Sequence, residues 1–253
     1  RLDEAEQLYH QVIEQQPDYS EALYGLGMLA QQKGELQSAQ KHLSAAAKVQ
    51  PNSVKIWFSL GNLLQGQGQL PEAESAYQKA IVLRPDAGTI YNNLGYTLQQ
   101  QGKWSEAIAS YEKALEFQPN CTEAEVNLGN ALFAQRKLST EKRAYYADLN
   151  YQLGVIRKQV ADWQTAAIYY RSAIALQPDL VEAHYNLGVV LQEQGQMEDA
   201  IACYQKTLEF NPQHQQANMN LEQIYQTQHD ETTQLDPLKK LIFRSPNFDP
   251  GNK

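Results

Sequence analysis

Residues 88–121 read GTIYNNLGYTLQQQGKWSEAIASYEKALEFQPNC and form the clearest copy of a unit that recurs along the chain. Large and small apolar residues stand three or four positions apart over 91–98 and again over 107–114, which places one apolar stripe on each of two helices. Gly102 lies where the first helix must end, because glycine adopts the left-handed cap conformation without a Cβ penalty. Gly95 lies inside the first helix, where glycine costs about 1 kcal/mol relative to alanine. The unit is therefore predicted to be a helix hairpin that packs too closely at Gly95 for a side chain.

The unit repeats every 34 residues. A proline follows the second helix of each copy, and a Leu-Gly pair lies within the first helix. The prolines are Pro17, Pro51, Pro85 and Pro119, and then Pro178 and Pro212, each 34 residues after the one before it within its group. The pairs are Leu26-Gly27, Leu60-Gly61, Leu94-Gly95, Leu128-Gly129, Leu153-Gly154 and Leu187-Gly188. With alanine and an aromatic residue in the second helix, this pattern resembles the tetratricopeptide repeat over residues 1–227. The resemblance implies an all-α fold, a right-handed α-solenoid of antiparallel helix hairpins.

The pattern breaks once, over residues 136–146. Leu153 follows Leu128 by 25 positions, nine short of the period, and the segment lacks the alanine and aromatic residues of a second helix. Three interpretations are open: residues have been lost here, Thr140 to Gln159 form one long helix that makes the array irregular, or a degenerate short hairpin fills the segment. Under each of them we expect a loop, a hinge or a partner contact at 136–146.

These observations divide the chain into four segments. They are a repeat array over 1–135 with an incomplete first repeat, the break at 136–146, a continued array over 147–227 that ends in a capping helix, and a tail over 228–253. Because the first repeat lacks its first helix, we expect the natural protein to extend upstream. In the tail, Asp236-Pro237 begins a short predicted helix, which either caps the array or leads to a further domain.

Composition excludes some classes of function. A net charge of −8 over 253 residues argues against nucleic-acid binding, which needs a basic face. No run approaches the 18 or more apolar residues of a membrane span. Cys121 and Cys203 lie on separate repeats without a CxxC partner, which favours a reducing compartment, and we expect a cytoplasmic protein.

No motif points to catalysis. The five histidines show no HxxxH or HExxH spacing, and the chain has neither GxSxG nor a GxxxxGK[ST] phosphate loop. His184 stands where other copies have Trp57 or Tyr91, so we expect a packed ring and not a metal ligand. The sequence predicts no enzyme, no catalytic or metal-binding residue and no cofactor.

The resemblance implies a binding groove, because in tetratricopeptide proteins the first helices line the concave face of the superhelix. The residue before each Leu-Gly position points into that groove. It is Gly25, Ser59, Asn93, Asn127, Gln152, Asn186 and Asn220. An amide both donates and accepts hydrogen bonds, so a row of amides can pair with the backbone of an extended peptide. The row resembles the asparagine ladder of the superhelix in O-linked N-acetylglucosamine transferases, although asparagine before Leu-Gly is also common in repeats without a specific role.

Aromatic and further amide side chains follow the same face. They are Tyr24, Phe58, Tyr151 and Tyr185, with Asn62, Tyr96 and Asn130 one turn beyond. Tyrosine is typical of binding surfaces, but packing between adjacent first helices is an equal alternative. One turn before them, acidic residues outnumber the single Lys55. These acids are Glu21, Glu123, Asp148 and Glu182. A neutral or basic partner is therefore expected, because no basic clamp for a carboxylate tail is present.

The predicted function is that of a non-catalytic protein–protein interaction scaffold that binds a peptide segment of a partner protein in its groove. Two alternatives remain open. One is the substrate-recruiting arm of a larger enzyme, such as a glycosyltransferase, with its catalytic domain outside this chain. The other is self-association through residues 1–15 or 136–146.

Overall fold

The computed structural model describes residues 2–227, and over this range the chain folds into 13 α-helices without a β-strand. The predicted tail helix at Asp236 lies outside the described residues. The helices are α1 (Leu2–Gln15), α2 (Ser20–Gln32), α3 (Leu36–Val49), α4 (Val54–Gly66), α5 (Leu70–Leu83), α6 (Gly88–Gln100), α7 (Trp104–Phe117), α8 (Thr122–Ala134), α9 (Thr140–Gln159), α10 (Trp163–Leu176), α11 (Val181–Glu193), α12 (Met197–Phe210) and α13 (215–227). The prediction of an all-α solenoid of helix hairpins is confirmed.

The helices divide into two compact units, residues 1–138 and residues from 139 onward. In unit 1 the hairpins are α2/α3, α4/α5 and α6/α7, preceded by α1 and followed by α8; in unit 2 they are α9/α10 and α11/α12, followed by α13. We call the first helix of each hairpin, together with α8 and α13, a leading helix, and the second helix, together with α1, a trailing helix. Each trailing helix also contacts the next leading helix of its unit, so each unit has a continuous core.

The close packing predicted at Gly95 is present. A Cβ atom at Gly95 would lie 2.7 Å from the ring of Tyr111, and one at Gly61 would lie 2.7 Å from the ring of Tyr77. Both rings are fully buried. The leading helix therefore has no side chain where the trailing-helix aromatic ring packs against its backbone.

The turns that follow the leading helices explain where those helices end. Gly102 has a φ of +76°, the left-handed conformation that lets the helix reverse without a steric clash. Arg136 and Ala161 occupy the same turn position with φ values of +55° and +56°. Because a Cβ atom makes this conformation unfavourable, these two turns are strained where the others are not.

The irregular segment contains one helix, α9, of 20 residues. Of the three interpretations of the break, the second describes the helix that the structure has over Thr140–Gln159. Its C-terminal part carries Leu153 and Gly154 and packs on α10 like any leading helix, with the Cβ position of Gly154 lying 2.6 Å from the Tyr170 ring. Its N-terminal turns precede the first position of a standard repeat, and Tyr145 is 51% exposed there.

Candidate peptide-binding surface

The candidate surface in each unit is the leading-helix face, which we define as the side of the leading helices that carries the predicted groove residues. The predicted aromatic residues stand there at different depths. Tyr24, Phe58, Tyr151 and Tyr185 are half-buried, while Tyr96 is 41% exposed. Three of these rings pack on a trailing-helix aromatic: Phe58 on Tyr77, Tyr151 on Tyr170 and Tyr185 on Tyr204, with centroids 5.9–6.2 Å apart.

Adjacent leading helices are joined by polar contacts between residues 35 positions apart. The hydroxyl groups of Tyr24 and Ser59 lie 3.1 Å apart, the Asn127 amide donates to Asn92 at 3.0 Å, and the Asn186 amide donates to the Tyr151 hydroxyl at 3.3 Å. Each pair joins the residue before Leu-Gly in one copy to the residue one position earlier in the preceding copy. The sequence analysis did not predict this pairing. The signal that could have revealed it is the presence of polar residues both directly before Leu-Gly and one position earlier.

The other predicted amides also have partners within the protein. Asn93 donates to Asn62 Oδ1 at 2.9 Å, and Asn220 donates to the Tyr204 hydroxyl at 3.0 Å. Gln152 is exposed and donates to Asp148 at 2.7 Å, while Asn130 is half-buried. Asn186 is only 8% exposed, so most of its amide lies beneath the surface. The amides of Asn93, Asn127, Asn186 and Asn220 therefore link neighbouring helices, and their polar atoms are only partly available to a ligand.

An open groove of about 900 Å³ lies on the leading-helix face of unit 1, between α1, α2 and α4. Tyr24, Gly25 and Met28 lie on its α2 side, and Glu21 and Lys55 contribute one charge of each sign. The Lys55 ammonium stands 4.2 Å from the centre of the Tyr24 ring, a cation–π contact.

Gly25 occupies the groove position that carries asparagine in other copies. A Cβ atom there would lie 2.5 Å from the Tyr9 ring of α1. The ring fills the space that an amide side chain would need, which explains physically why the amide row is absent from this copy.

In unit 2 the same face is acidic around Tyr151. The pKa of the Tyr151 hydroxyl is raised mainly by burial and further by the negative charges of Glu182 and Asp148, against a hydrogen bond from Asn186 that lowers it. Asp148 accepts a hydrogen bond from Gln152, the residue after Tyr151, and the Glu182 carbonyl shares the Asn186 amide with the Tyr151 hydroxyl. Both acidic side chains are exposed. The arrangement can attract a cationic side chain of a ligand to an aromatic surface.

His184 is a packed ring. Its Nε2 atom lies 2.8 Å from the carbonyl oxygen of Pro178, as the Trp57 indole nitrogen donates to the carbonyl of Pro51 at 2.7 Å. The two rings thus serve the same structural role in different copies. Within residues 2–227 no group of three or more histidine, cysteine, aspartate or glutamate side chains is placed to hold a metal ion.

Models of one repeat family match most of the chain. Tetratricopeptide repeat models match residues 1–60, 52–120, 92–149 and 181–214, and a TPR repeat model matches residues 162–195. Among curated proteins none matches this chain. No helix among the described residues is long and apolar enough to span a bilayer.

Solved structures of similar fold have low sequence identity to the chain. The Cut9 and Hcn1 hetero-tetramer of the APC/C gives a TM-score of 0.53 at 14% identity, over 88% of this chain and 46% of that one. YrrB, described as a TPR protein with an unusual peptide-binding site, gives 0.47 at 18% identity, over 85% and 97% of the two chains. MamA gives 0.42 at 20% identity, over 78% and 94%. The first of these similarities supports the fold alone.

Proposed function

Because the chain belongs to the tetratricopeptide-repeat family, we propose that it is a protein–protein interaction scaffold whose leading-helix face binds an extended peptide segment of a partner. The repeat fold is typically non-catalytic, and its repeats point to protein binding. The peptide ligand and the residues that contact it are the finer parts of this proposal.

The open groove of unit 1 is the observation that carries the proposal. Its volume of about 900 Å³ lies within the range of ligand-binding clefts. Its α2 wall combines the half-buried Tyr24 with Met28, which is 37% exposed, and these provide apolar contact area beside polar atoms. Tyrosine and methionine are enriched at protein interfaces for this reason.

Exposed side chains of the leading-helix face give a cleaner test than the amides. Asn93, Asn127 and Asn186 hold neighbouring helices together, so their replacement by alanine would lower stability as well as affinity. Met28 and Tyr96 follow the glycine of Leu-Gly in their helices and are exposed. Replacing both with serine should leave the fold intact and remove apolar contact area from the face.

The experiment selects ligands from a display library of ten random residues between fixed Gly-Ser flanks and measures their affinity by fluorescence anisotropy. We expect the Met28→Ser/Tyr96→Ser protein to bind the selected peptides roughly tenfold more weakly, since truncating a buried aromatic anchor typically removes 1–2 kcal/mol or more. Val82→Ser on trailing helix α5, where Val82 is 79% exposed, is the matched control and should bind like the wild type. Equal affinity for the Met28→Ser/Tyr96→Ser protein and the Val82→Ser control would contradict the proposal.

A further inference from the structure

One buried tyrosine of unit 2 lacks the hydrogen bond that its counterparts make. The hydroxyl of Tyr77 donates to Asn62 at 2.7 Å, that of Tyr111 to Gln99 at 3.1 Å and that of Tyr204 to Gln192 at 2.7 Å. Tyr170 is as deeply buried as these three, yet its hydroxyl has no hydrogen-bond partner in the part of the chain that the structure describes. Buried polar groups without a partner are rare and call for an explanation.

The cause lies in two substitutions on leading helix α9. Counted from the glycine of Leu-Gly, the acceptors Asn62, Gln99 and Gln192 stand one or four positions later. In α9 these positions hold Val155, which has no polar atom, and Lys158, which only donates. The Tyr170 ring takes the usual place, because the Cβ position of Gly154 lies 3.0 Å from its Cζ atom and the equivalent distance from Gly188 to Tyr204 is 3.2 Å.

The residue of the next leading helix that could bond to the Tyr170 hydroxyl is engaged elsewhere. In the following repeat of the unit, the Asn220 amide nitrogen donates to the Tyr204 hydroxyl. The corresponding residue for Tyr170 is Asn186, but its Oδ1 atom accepts a hydrogen bond from the Lys158 ammonium. The Asn186 nitrogen donates to the Tyr151 hydroxyl and to the backbone carbonyl of Glu182.

Lys158 is itself poorly satisfied. It is half-buried, burial lowers the pKa of its ammonium, and it makes no ion pair among the described residues. An ammonium carries three N–H donors, and one of them reaches Asn186. The unit 2 face thus has two groups with unused hydrogen-bond donors. They are the ammonium of Lys158 and the hydroxyl of Tyr170.

We propose that the unit 2 face around Lys158 binds a backbone carbonyl of an extended peptide. The peptide carries a lysine or arginine next to that carbonyl. The ligand oxygen accepts a hydrogen bond from Lys158, and the Asn186 amide that Lys158 releases turns to form a hydrogen bond with the Tyr170 hydroxyl. The ligand's cationic side chain lies against Tyr151 between Asp148 and Glu182. Binding thereby gives the buried Tyr170 hydroxyl a partner.

The negative charges of Asp148 and Glu182 favour a carbonyl over a carboxylate as the ligand group that Lys158 binds. Asp148 accepts from Gln152 next to Tyr151, and the Glu182 carbonyl accepts from the same Asn186 amide that bonds to the Tyr151 hydroxyl. Their negative charges also raise the pKa of that hydroxyl. A ligand carboxylate on Lys158 would be repelled by both, whereas a neutral carbonyl would not. The same two charges attract a basic side chain, whose contact with the Tyr151 ring adds a cation–π interaction.

This inference rests on the proposed function and is tested with the peptides that the wild-type protein selects from the same display library, synthesised with acetyl and amide caps. We expect lysine or arginine to be enriched at one position and glutamate and aspartate to be depleted. Lys158→Met should weaken binding at least tenfold and Tyr170→Phe three- to tenfold, although Tyr170 does not touch the ligand. Asp148→Asn with Glu182→Gln should abolish the preference for a basic residue.

Two controls keep the outcomes distinct. Lys206→Met removes a cation from trailing helix α12 of the same unit, where Lys206 pairs with Glu209, and should leave affinity unchanged. Far-UV circular dichroism and thermal melting check that each variant is folded, and Lys158→Arg, which keeps the donors, should restore most of the binding.

This inference would be overturned if the affinity of the peptides changed less than twofold in both Lys158→Met and Tyr170→Phe. An enrichment of acidic residues in the selected peptides would overturn it as well. If those peptides still lose affinity in the Met28→Ser/Tyr96→Ser protein, the proposed function stands without it. A library that yields no peptide above background on the wild-type protein overturns both.

Discussion

The orphaned hydroxyl of Tyr170 makes a stability prediction that needs no ligand. Tyr204→Phe removes a hydroxyl that donates to Gln192 at 2.7 Å and accepts from Asn220 at 3.0 Å. Each such hydrogen bond contributes about 0.5–1.5 kcal/mol, so the variant should lose roughly 1–3 kcal/mol. Tyr170→Phe removes a hydroxyl without a partner, so its free energy of unfolding should stay the same or rise by up to about 1 kcal/mol.

Urea denaturation followed by circular dichroism at 222 nm measures the difference. With a slope of about 1–3 kcal/mol/M, a loss of about 2 kcal/mol moves the midpoint of the affected transition down by roughly 1 M. The two tyrosines occupy equivalent places in adjacent hairpins of unit 2 and are both fully buried, so each variant serves as the control for the other. Equal destabilisation of the two variants would show that the Tyr170 hydroxyl does have a partner, and the reasoning about Lys158 would fail with it.

Three further predictions test the packing and the titration of the fold. Gly95→Ala should destabilise unit 1 by roughly 1–3 kcal/mol, because its Cβ atom would lie 2.7 Å from the Tyr111 ring. Gly66→Ala, with no atom within 4 Å of the new Cβ, should instead stabilise it by about 0.5–1 kcal/mol, and urea midpoints that move in the same direction would refute the contrast. Ala161→Gly should raise the free energy of unfolding by about 0.5–1 kcal/mol, because glycine relieves the strain at φ +56°; a lower melting temperature would be the contrary result. Burial raises the pKa of Tyr204 from 10 to about 12, so the stability due to the neutral hydroxyl is complete below pH 10 and is lost as the pH rises towards 12; urea midpoints that do not change between pH 9 and pH 11.5 would contradict this.

Much of the fold could be predicted because the periodic residues act locally. The helix that begins at Gly88 and the turn at Gly102 follow from positions within one 34-residue unit, and the structure has both. The close contact at Gly95 could also be predicted, since a glycine inside a helix has few other physical reasons. The break at 136–146 could be located but left three interpretations, because a missing pattern does not say what replaces it.

The candidate surface was predictable only as a set of positions. The amide of Asn186 was expected to line a groove, and in the structure it is 8% exposed and accepts a hydrogen bond from Lys158. That contact joins residues 28 positions apart on different helices, so no local pattern reports it. Whether those residues bind a peptide stays a prediction.

The sequence by itself determined the architecture of this protein, because a 34-residue recurrence of small and large residues allows only paired helices whose apolar stripes are buried against the next pair. The tertiary structure alone decided which polar atoms are satisfied. Hydrogen bonding depends on distances of about 3 Å between side chains from different repeats, and those distances exist only after the helices have packed. Tyr170 and Tyr204 occupy the same place in the repeat. The side chains around them leave the Tyr204 hydroxyl hydrogen-bonded and the Tyr170 hydroxyl without a partner among the described residues.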